Sequence, residues 1–553
     1  MEVDAGNFEE ALALFLECLP TTSFISLDLE MTGINVGAEH DDKSHDTAEH
    51  RYTKKRRAAA SYGIIQVGLC LFQHASTPSS ARMASSSAGR AQAGGRELTA
   101  RPFNFFIFPR PINEPPDCYI SPKVSLDADA MHFVRCSGVD FGRWMSSGIP
   151  YLDRQGEDQL RAALARRLEA PAAGPEKGKA QPDEVVRREA KGIEEVSSDK
   201  CFGPGASYCM RGKPGRHTLL VQAMRERRPK DHIVLERRPG PLGGCRLPVV
   251  TMRNLGPDPA ALEAWRRQEA QEAERFALEH AGFRRVWQAL LRSGRPLVLH
   301  NGLLDLLFAY HWLEEPLPES LDEFKGVLRR TLAPGTRIYD TKWIAHNTDI
   351  GVQLQHGQRT GLEVLMNLVE EQQEERVRQQ QPSLLPQVTC PEGFDRYEGS
   401  SPSYHEAAYD ALCTGKLFAY FCRAGDFSLC QELAAPPNGG GGRAQRTSGS
   451  TGGPVHCSAG ANRFGALHSS EESSDSNGDS GEASGPPAIP TLADADNKVF
   501  LMMSKEDLSW GSAAPKGPPP AAAPVPSYAT NARGPLSTAP PLVATAGPGV
   551  GGR

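Results

Sequence analysis

Apolar and polar residues alternate along Phe24-Ile25-Ser26-Leu27-Asp28-Leu29-Glu30, and the turn Met31-Thr32-Gly33 ends the run. Period-two alternation with a glycine stop predicts a β-strand. Ahead of it, Glu9 to Leu16 has the spacing of a short amphipathic helix. Tyr62 to Phe72 is apolar almost throughout, which predicts a strand covered on both faces. Phe103 to Phe108 predicts a third strand, stopped by Pro109 and Pro111. Leu297 to Asn301 predicts another buried strand, and Ile338 to Lys342 holds a further short apolar segment. Between these lie helical patterns. Asp258 suits an N-cap and Pro259 a first helical position, opening a helix that runs to about Leu291. Leu303 to Leu313, Leu362 to Gln379 and Ser403 to Cys422 are also helical in period. Strands interleaved with helices give an α/β fold with a central sheet flanked by helices.

Composition changes this picture at three places. Over residues 201–260 there are eleven Lys/Arg against four Asp/Glu, in a chain of net charge −6. With its weak periodicity, residues 156–257 read as a basic insertion, dividing a domain into parts 1–155 and 258–433. From residue 434 the chain is expected to be a disordered tail. The stretch 436–490 carries one aromatic, Phe464, and 511–553 is rich in Pro, Ala and Gly. Such segments cannot bury enough apolar surface to offset chain entropy. A short apolar island at 497–503 interrupts the tail, and residues 75–99 read as a mobile loop. No run of 18–20 apolar residues is present, so a membrane span is excluded. The acidic start lacks the features of a secretory signal. Twelve scattered cysteines without a CxxC pair read as reduced thiols inside the cell; the expected location is nucleus, cytoplasm or both, with the choice between them open.

The candidate chemistry lies in carboxylates set among apolar residues. Asp28 and Glu30 alternate on one strand and so share a face. Asp305 follows a buried strand in LHNGLLD, and His405 and Asp410 lie in HEAAYD at the front of the last helix. Clustered carboxylates are costly unless a cation sits between them. Hard oxygen ligands suit Mg²⁺ or Mn²⁺, and a pair of such ions can clamp both oxygens of a phosphoryl displacement. Each residue also has a plainer reading. Asp28 and Glu30 could line a solvated edge, Asp305 could cap a helix, and His405 could sit on a helix surface. Asp340 in YDTK reads as structural rather than as a ligand.

Asp-x-Glu, a middle Asp and a late His-x4-Asp resemble the DEDD exonuclease superfamily in its histidine branch, and DLEMTG is similar to the first motif of oligoribonuclease. LHNGLLD, Pro316-Leu317-Pro318, Glu323-Phe324, YDTK and HEAAYD, with Phe103 to Pro109 and Gly148 to Leu152, resemble the poly(A)-specific ribonuclease group of deadenylases. The resemblance spans about residues 1–155 and 258–425. It implies a ribonuclease H-like exonuclease fold with a mixed sheet. It implies two Mg²⁺ ions, with Mn²⁺ able to substitute, held by Asp28, Glu30, Asp305 and Asp410. His405 would be the general base of 3′→5′ hydrolysis on single-stranded RNA, poly(A) favoured, releasing 5′-AMP. It further implies a homodimer.

Met31, Phe103, Phe105 and Lys342 are the candidate substrate contacts, though the phenylalanines could equally be core and Lys342 solvated. Met31 stands where the family carries an aromatic. His300 and Asn301 read as supports for Asp305. Lys54-Lys55-Arg56-Arg57 reads as a nuclear localisation signal, a phosphate contact or a solvated helix face. The family inserts a small nucleic-acid-binding module named for an Arg-x3-His motif. Arg228-Pro229-Lys230-Asp231-His232 fits that spacing, but Pro229 would break a helix, so a degenerate module is expected. No RNA-recognition domain is visible, so cap binding is not expected. Asn497 to Met502 resembles a strand that docks back on the nuclease. Two rival functions remain open: a less base-selective trimmer of small nuclear or PIWI-type RNAs, and a catalytically silent RNA-binding scaffold.

Overall fold

The computed structural model describes residues 1–37, 45–74, 98–169 without 114, 116 and 117, 182–196, 202–210, 214–238, 249–355, 360–399, 402–425, 498–499 and 508–509. The expected loop at 75–99, apart from its last two residues, and nearly all of the tail lie outside them. Among the described residues no helix is long and apolar enough to cross a membrane.

The chain starts with β1 (Glu2–Val3), α1 (Phe8–Cys18), β2 (Phe24–Met31), α2 (Ala48–Ser61), β3 (Ile64–His74) and β4 (Leu98–Phe106). Next come α3 (Ala128–Cys136), α4 (Phe141–Ser147), α5 (Arg154–Glu169) and α6 (Glu184–Val196). Then follow β5 (Ser207–Met210), α7 (Pro214–Arg227), β6 (Ile233–Arg238), β7 (Val249–Asn254), α8 (Pro259–Ala281) and α9 (Arg284–Arg292). The second part brings β8 (Leu297–Leu299), α10 (Leu303–Leu313), α11 (Leu321–Thr331), β9 (Ile338–Asp340), α12 (Thr341–Asn347) and α13 (Asp349–Gln355). Last are α14 (Leu362–Arg378), β10 (Val388–Thr389), α15 (Ala407–Ala424), β11 (Lys498–Val499) and β12 (Leu508–Ser509).

The main sheet has the order β1-β4-β3-β2-β8-β9-β11-β12, with β10 also on β4. β3 is antiparallel to β2 and β4, while β2, β8 and β9 run parallel. This mixed α/β sheet, flanked by helices, is the ribonuclease H-like arrangement that the sequence motifs imply. Alternation divides its two faces. Ile25, Leu27, Leu29 and Met31 join a core with Phe15, Trp287 and Leu307. Phe24, Phe72 and Val298 face Ala408, Leu412 and Phe418 of α15. The strand expected at Phe103–Phe108 begins at Leu98, where His74 pairs it. Pro102 lies inside it, opposite Cys70. Strand β11 does dock back, pairing Lys498 with Tyr339, and β12 pairs antiparallel with it.

Strands β5, β7 and β6 form a separate three-stranded sheet, in the order β5-β7-β6. Val186, Phe202, Leu220, Met224 and Met252 form a small core beneath it. Arg228 to His232 lie on the turn after α7, not on a helix. There Arg228 donates to Asp231 at 3.2 Å, and Asp231 also accepts from Asn254. Pro229 cannot extend α7, which explains the turn. Helix α5 instead packs on α8 through Leu160, Ala163, Leu164 and Ala277. The Arg161–Glu274 and Arg167–Glu269 ion pairs add to that contact.

Candidate active site

Strand β2 carries Asp28 and Glu30 on the face that α15 covers. Gly68 on β3 lies opposite Asp28. A Cβ at Gly68 would stand 2.0 Å from the Ala407 carbonyl oxygen, so only glycine lets the start of α15 descend onto the sheet. Ser26 donates to the Ala411 carbonyl at 2.6 Å and fastens the same helix to β2. Gly68→Ala is therefore expected to cost about 1–3 kcal/mol, as overpacking does, read from urea unfolding.

Asp305 is in the first turn of α10 and accepts a hydrogen bond from the Leu29 backbone N–H at 2.9 Å. That bond clips α10 to the strand between the two β2 carboxylates. The loop before α10 is fixed by Asp340, whose fully buried carboxylate takes the N–H groups of Asn301 and Gly302 at 3.0 Å each. The same carboxylate caps α12. Asp340 is thus structural, as the sequence suggests. Asn301 adopts the left-handed φ of 60°. His300 contacts the Thr341 hydroxyl and the Thr360 carbonyl, and burial pushes its imidazole down to about 3, so it stays neutral.

Helix α15 brings Asp410. Its Oδ2 accepts from the His405 backbone N–H at 3.0 Å, while its buried Oδ1 has no hydrogen-bond partner among the described residues. His405 was expected at the front of this helix. It instead precedes the N-cap Glu406 and holds a left-handed φ of 69°. A non-glycine residue there is strained and persists only where its surroundings over-determine it. Ligand atoms of Glu30, His405 and Asp410 all lie within 4.8 Å of one another.

The four carboxylates act on each other. Burial, then Asp305, Asp410 and Glu30, raise Asp28 well above the usual carboxylate range. Burial, then Asp410 and Asp305, do the same to Glu30. Burial pushes Asp305 and Asp410 up to about 7. Burial also lowers the His405 imidazole, which favours its neutral form. Crowded carboxylates with an orphaned buried oxygen are what a divalent cation would relieve. The residues present therefore fit such an ion.

Other candidates fall elsewhere. Phe103 and Phe105 are fully buried on the opposite sheet face, stacked on each other and meeting Phe15 and Phe283. They are core and not substrate contacts. The reason is register: Asn104, not its neighbours, shares the Gly68–Asp28 row. Met31 also packs into that core, 8% exposed. Lys342 stands at the start of α12 beside Asp340 and is half-buried. In the basic run, Lys54 pairs with Asp46 at 2.7 Å and Lys55 is buried against Asn35, so Arg57 is its exposed member.

Phe133, which the sequence reading missed, lies on α3 with half its surface exposed, its ring centre 4.5 Å from that of His405. Its signal was an aromatic beside, rather than on, the buried position Val134 of α3. Gln66 and Asn104 were missed too. Each is a single buried polar residue in an apolar strand, and both face the α15 side.

A mixed α/β sheet on which carboxylates of β2, α10 and α15 converge beside a histidine fits a class of metal-dependent nucleases. Within that class, the profile of the CAF1 family ribonucleases matches residues 3–418, and the chain belongs to this family. It is 29% identical over 431 residues to the poly(A)-specific ribonuclease PARN of Danio rerio, covering 76% of this chain and 59% of that protein. To the poly(A)-specific ribonuclease PNLDC1 of Mus musculus it is 25% identical, covering 75% and 70%. To the pre-piRNA 3′-exonuclease trimmer of Bombyx mori it is 23% identical, covering 78% and 72%. The chain thus spans about three fifths of the PARN relatives. Among solved structures it is similar to S. pombe Pop2p in its Mg²⁺- and Mn²⁺-bound form, with TM-score 0.32 and 13% identity over 76% of this chain and 91% of that one.

Proposed function

We propose that this chain is a divalent-metal-dependent 3′→5′ exoribonuclease acting on single-stranded RNA that ends in adenosines, releasing 5′-AMP. The observation that carries the reading is the convergence of Asp28, Glu30, Asp305 and Asp410 beside His405. Those four carboxylates would hold the metal, two ions in our reading, with Mg²⁺ the resident and Mn²⁺ a substitute. Bound cations would supply Lewis-acid stabilisation of charge on the attacking and leaving oxygens. His405, kept neutral by its surroundings, takes the proton of the attacking water at an imidazole nitrogen. The Asp410 carboxylate fixes the His405 backbone and, with Glu30, fixes where that water can stand. The exposed face of Phe133 gives a terminal base a ring to stack on. The adenine preference draws support from the relatives named as poly(A)-specific.

A second reading, 3′-end trimming with little base selectivity, is favoured by Met31, which is neither aromatic nor exposed and so offers a base no platform. Oligo(A), oligo(U) and a mixed-sequence RNA, each 5′-labelled, separate the two in Mg²⁺ or EDTA. The first reading expects a ladder confined to oligo(A) and abolished by EDTA. Ladders on all three support trimming, and binding without cleavage refutes both. Phe133→Ala is expected to raise KM on the order of tenfold, the loss of one stacked base. Its melting temperature should barely move, because the ring is half-exposed.

A further inference from the structure

The left-handed backbone of His405 is held from several directions. The His405 N–H goes to Asp410, the Glu406 N–H to the Ser403 carbonyl, and the Ala407 N–H to Gln66 Oε1 at 3.4 Å. The Glu406 side chain adds a second layer. It is 9% exposed, and it accepts from Tyr397 at 2.6 Å, from Asn104 at 3.2 Å and from Arg396 at 3.1–3.2 Å. Arg396 is also paired with Glu2, which Arg143 of α4 pairs in turn. Thus β4 and the segment before α15 meet on one carboxylate, one residue from the histidine, and β1 and α4 brace it through Arg396.

A cavity of about 50 Å³ lies beside this carboxylate, lined by Gln66, Phe106, Asp140 and Arg396 among others. That is room for a water. Packing alone therefore does not confine the Glu406 side chain, and its hydrogen bonds do. The reaction chemistry requires nothing of this residue directly, yet its burial needs these partners.

We propose that Glu406 is the positioning residue of His405: its carboxylate, tied to Asn104, Tyr397 and Arg396, locks the 405–406 peptide so that the imidazole meets Glu30 and Asp410 and leans on Phe133. The inference rests on His405 as the base and adds what orients it.

The test uses the full chain and two readouts. The first is kcat and KM on 5′-labelled oligo(A) with Mg²⁺. Glu406→Ala is expected to lower kcat on the order of 10²-fold, with KM held within about threefold, as for misplacement of a reacting group. Glu406→Gln should recover most of that loss. A glutamine keeps Oε1 for Tyr397 and Asn104 and gives up only the Oε2 bond from Arg396. The second readout is the His405 ring carbon NMR signal in metal-free protein, assigned by its disappearance in His405→Asn. Phe133 sets its ring-current shift, and Glu406→Ala should abolish that shift while Glu406→Gln keeps it. Should Glu406→Ala not fold, Arg396→Ala removes one of the three partners of the Glu406 carboxylate, together with its link to Glu2, and must move the signal in the same direction. An unmoved signal, or an unchanged kcat in an active protein, overturns the proposal. If wild-type protein cleaves no RNA, the exonuclease reading fails and the NMR signal still decides the positioning.

Discussion

Asp28→Asn is expected to lower kcat/KM on RNA by roughly 10³-fold, about 4 kcal/mol of transition-state stabilisation, while the metal-free protein melts at a higher temperature than wild type. The two effects have one origin. Asp28 stands among three other carboxylates, and burial together with Asp305, Asp410 and Glu30 disfavours its charge. An amide of the same shape removes that repulsion and, in the proposed function, also removes a metal ligand. A residue needed only for folding would lower both stability and rate. Melting in EDTA, followed by exonuclease rates in Mg²⁺, reads both. An undiminished rate, or a lower melting temperature, contradicts the assignment.

The second large effect is a dependence of stability on pH that metal reverses. Asp305 and Asp410 are pushed up to about 7 in the folded, metal-free chain, against roughly 3.9 for an unfolded Asp. Between those values the folded state binds more protons than the unfolded one, so stability falls as pH rises. The contribution is complete below about pH 4 and is lost as pH passes through about 7. In EDTA the melting temperature should decline from pH 5 to pH 8, and less steeply in Asp410→Asn. In the proposed function Mg²⁺ binds the ionised form, so its addition at pH 8 should restore stability, by about 2.7 kcal/mol at a hundred times Kd. A melting temperature that rises with pH in EDTA, or that ignores Mg²⁺ at pH 8, contradicts the assignment.

Much of this site could be read from the chain alone, because its residues break local pattern. Asp28 and Glu30 are charges in an apolar strand, and Asp305 and Asp410 are charges on helices buried almost all round. The failures came where long-range register decides. The sequence leaves Phe103 and Phe105 open between pocket and core, and only the pairing of Asn104 with Gly68 turns them to the far face. Period also misplaced His405, because helical spacing continues through a single left-handed residue without a mark. Glu406 escaped notice for a related reason. It reads as an ordinary first-turn acid until Tyr397, Asn104 and Arg396 are brought around it. In the basic insertion, Pro229 correctly warned that Arg228 and His232 do not share a helix. The apolar positions there are too sparse to reveal the small sheet that encloses them.

The most direct measurement is an anomalous difference map from a crystal of the full chain soaked in Mn²⁺. The account predicts peaks enclosed by Asp28, Glu30, Asp305 and Asp410, with Asp410 Oδ1 turned onto one of them. A map with no peak there, or those carboxylates lying apart, would contradict it.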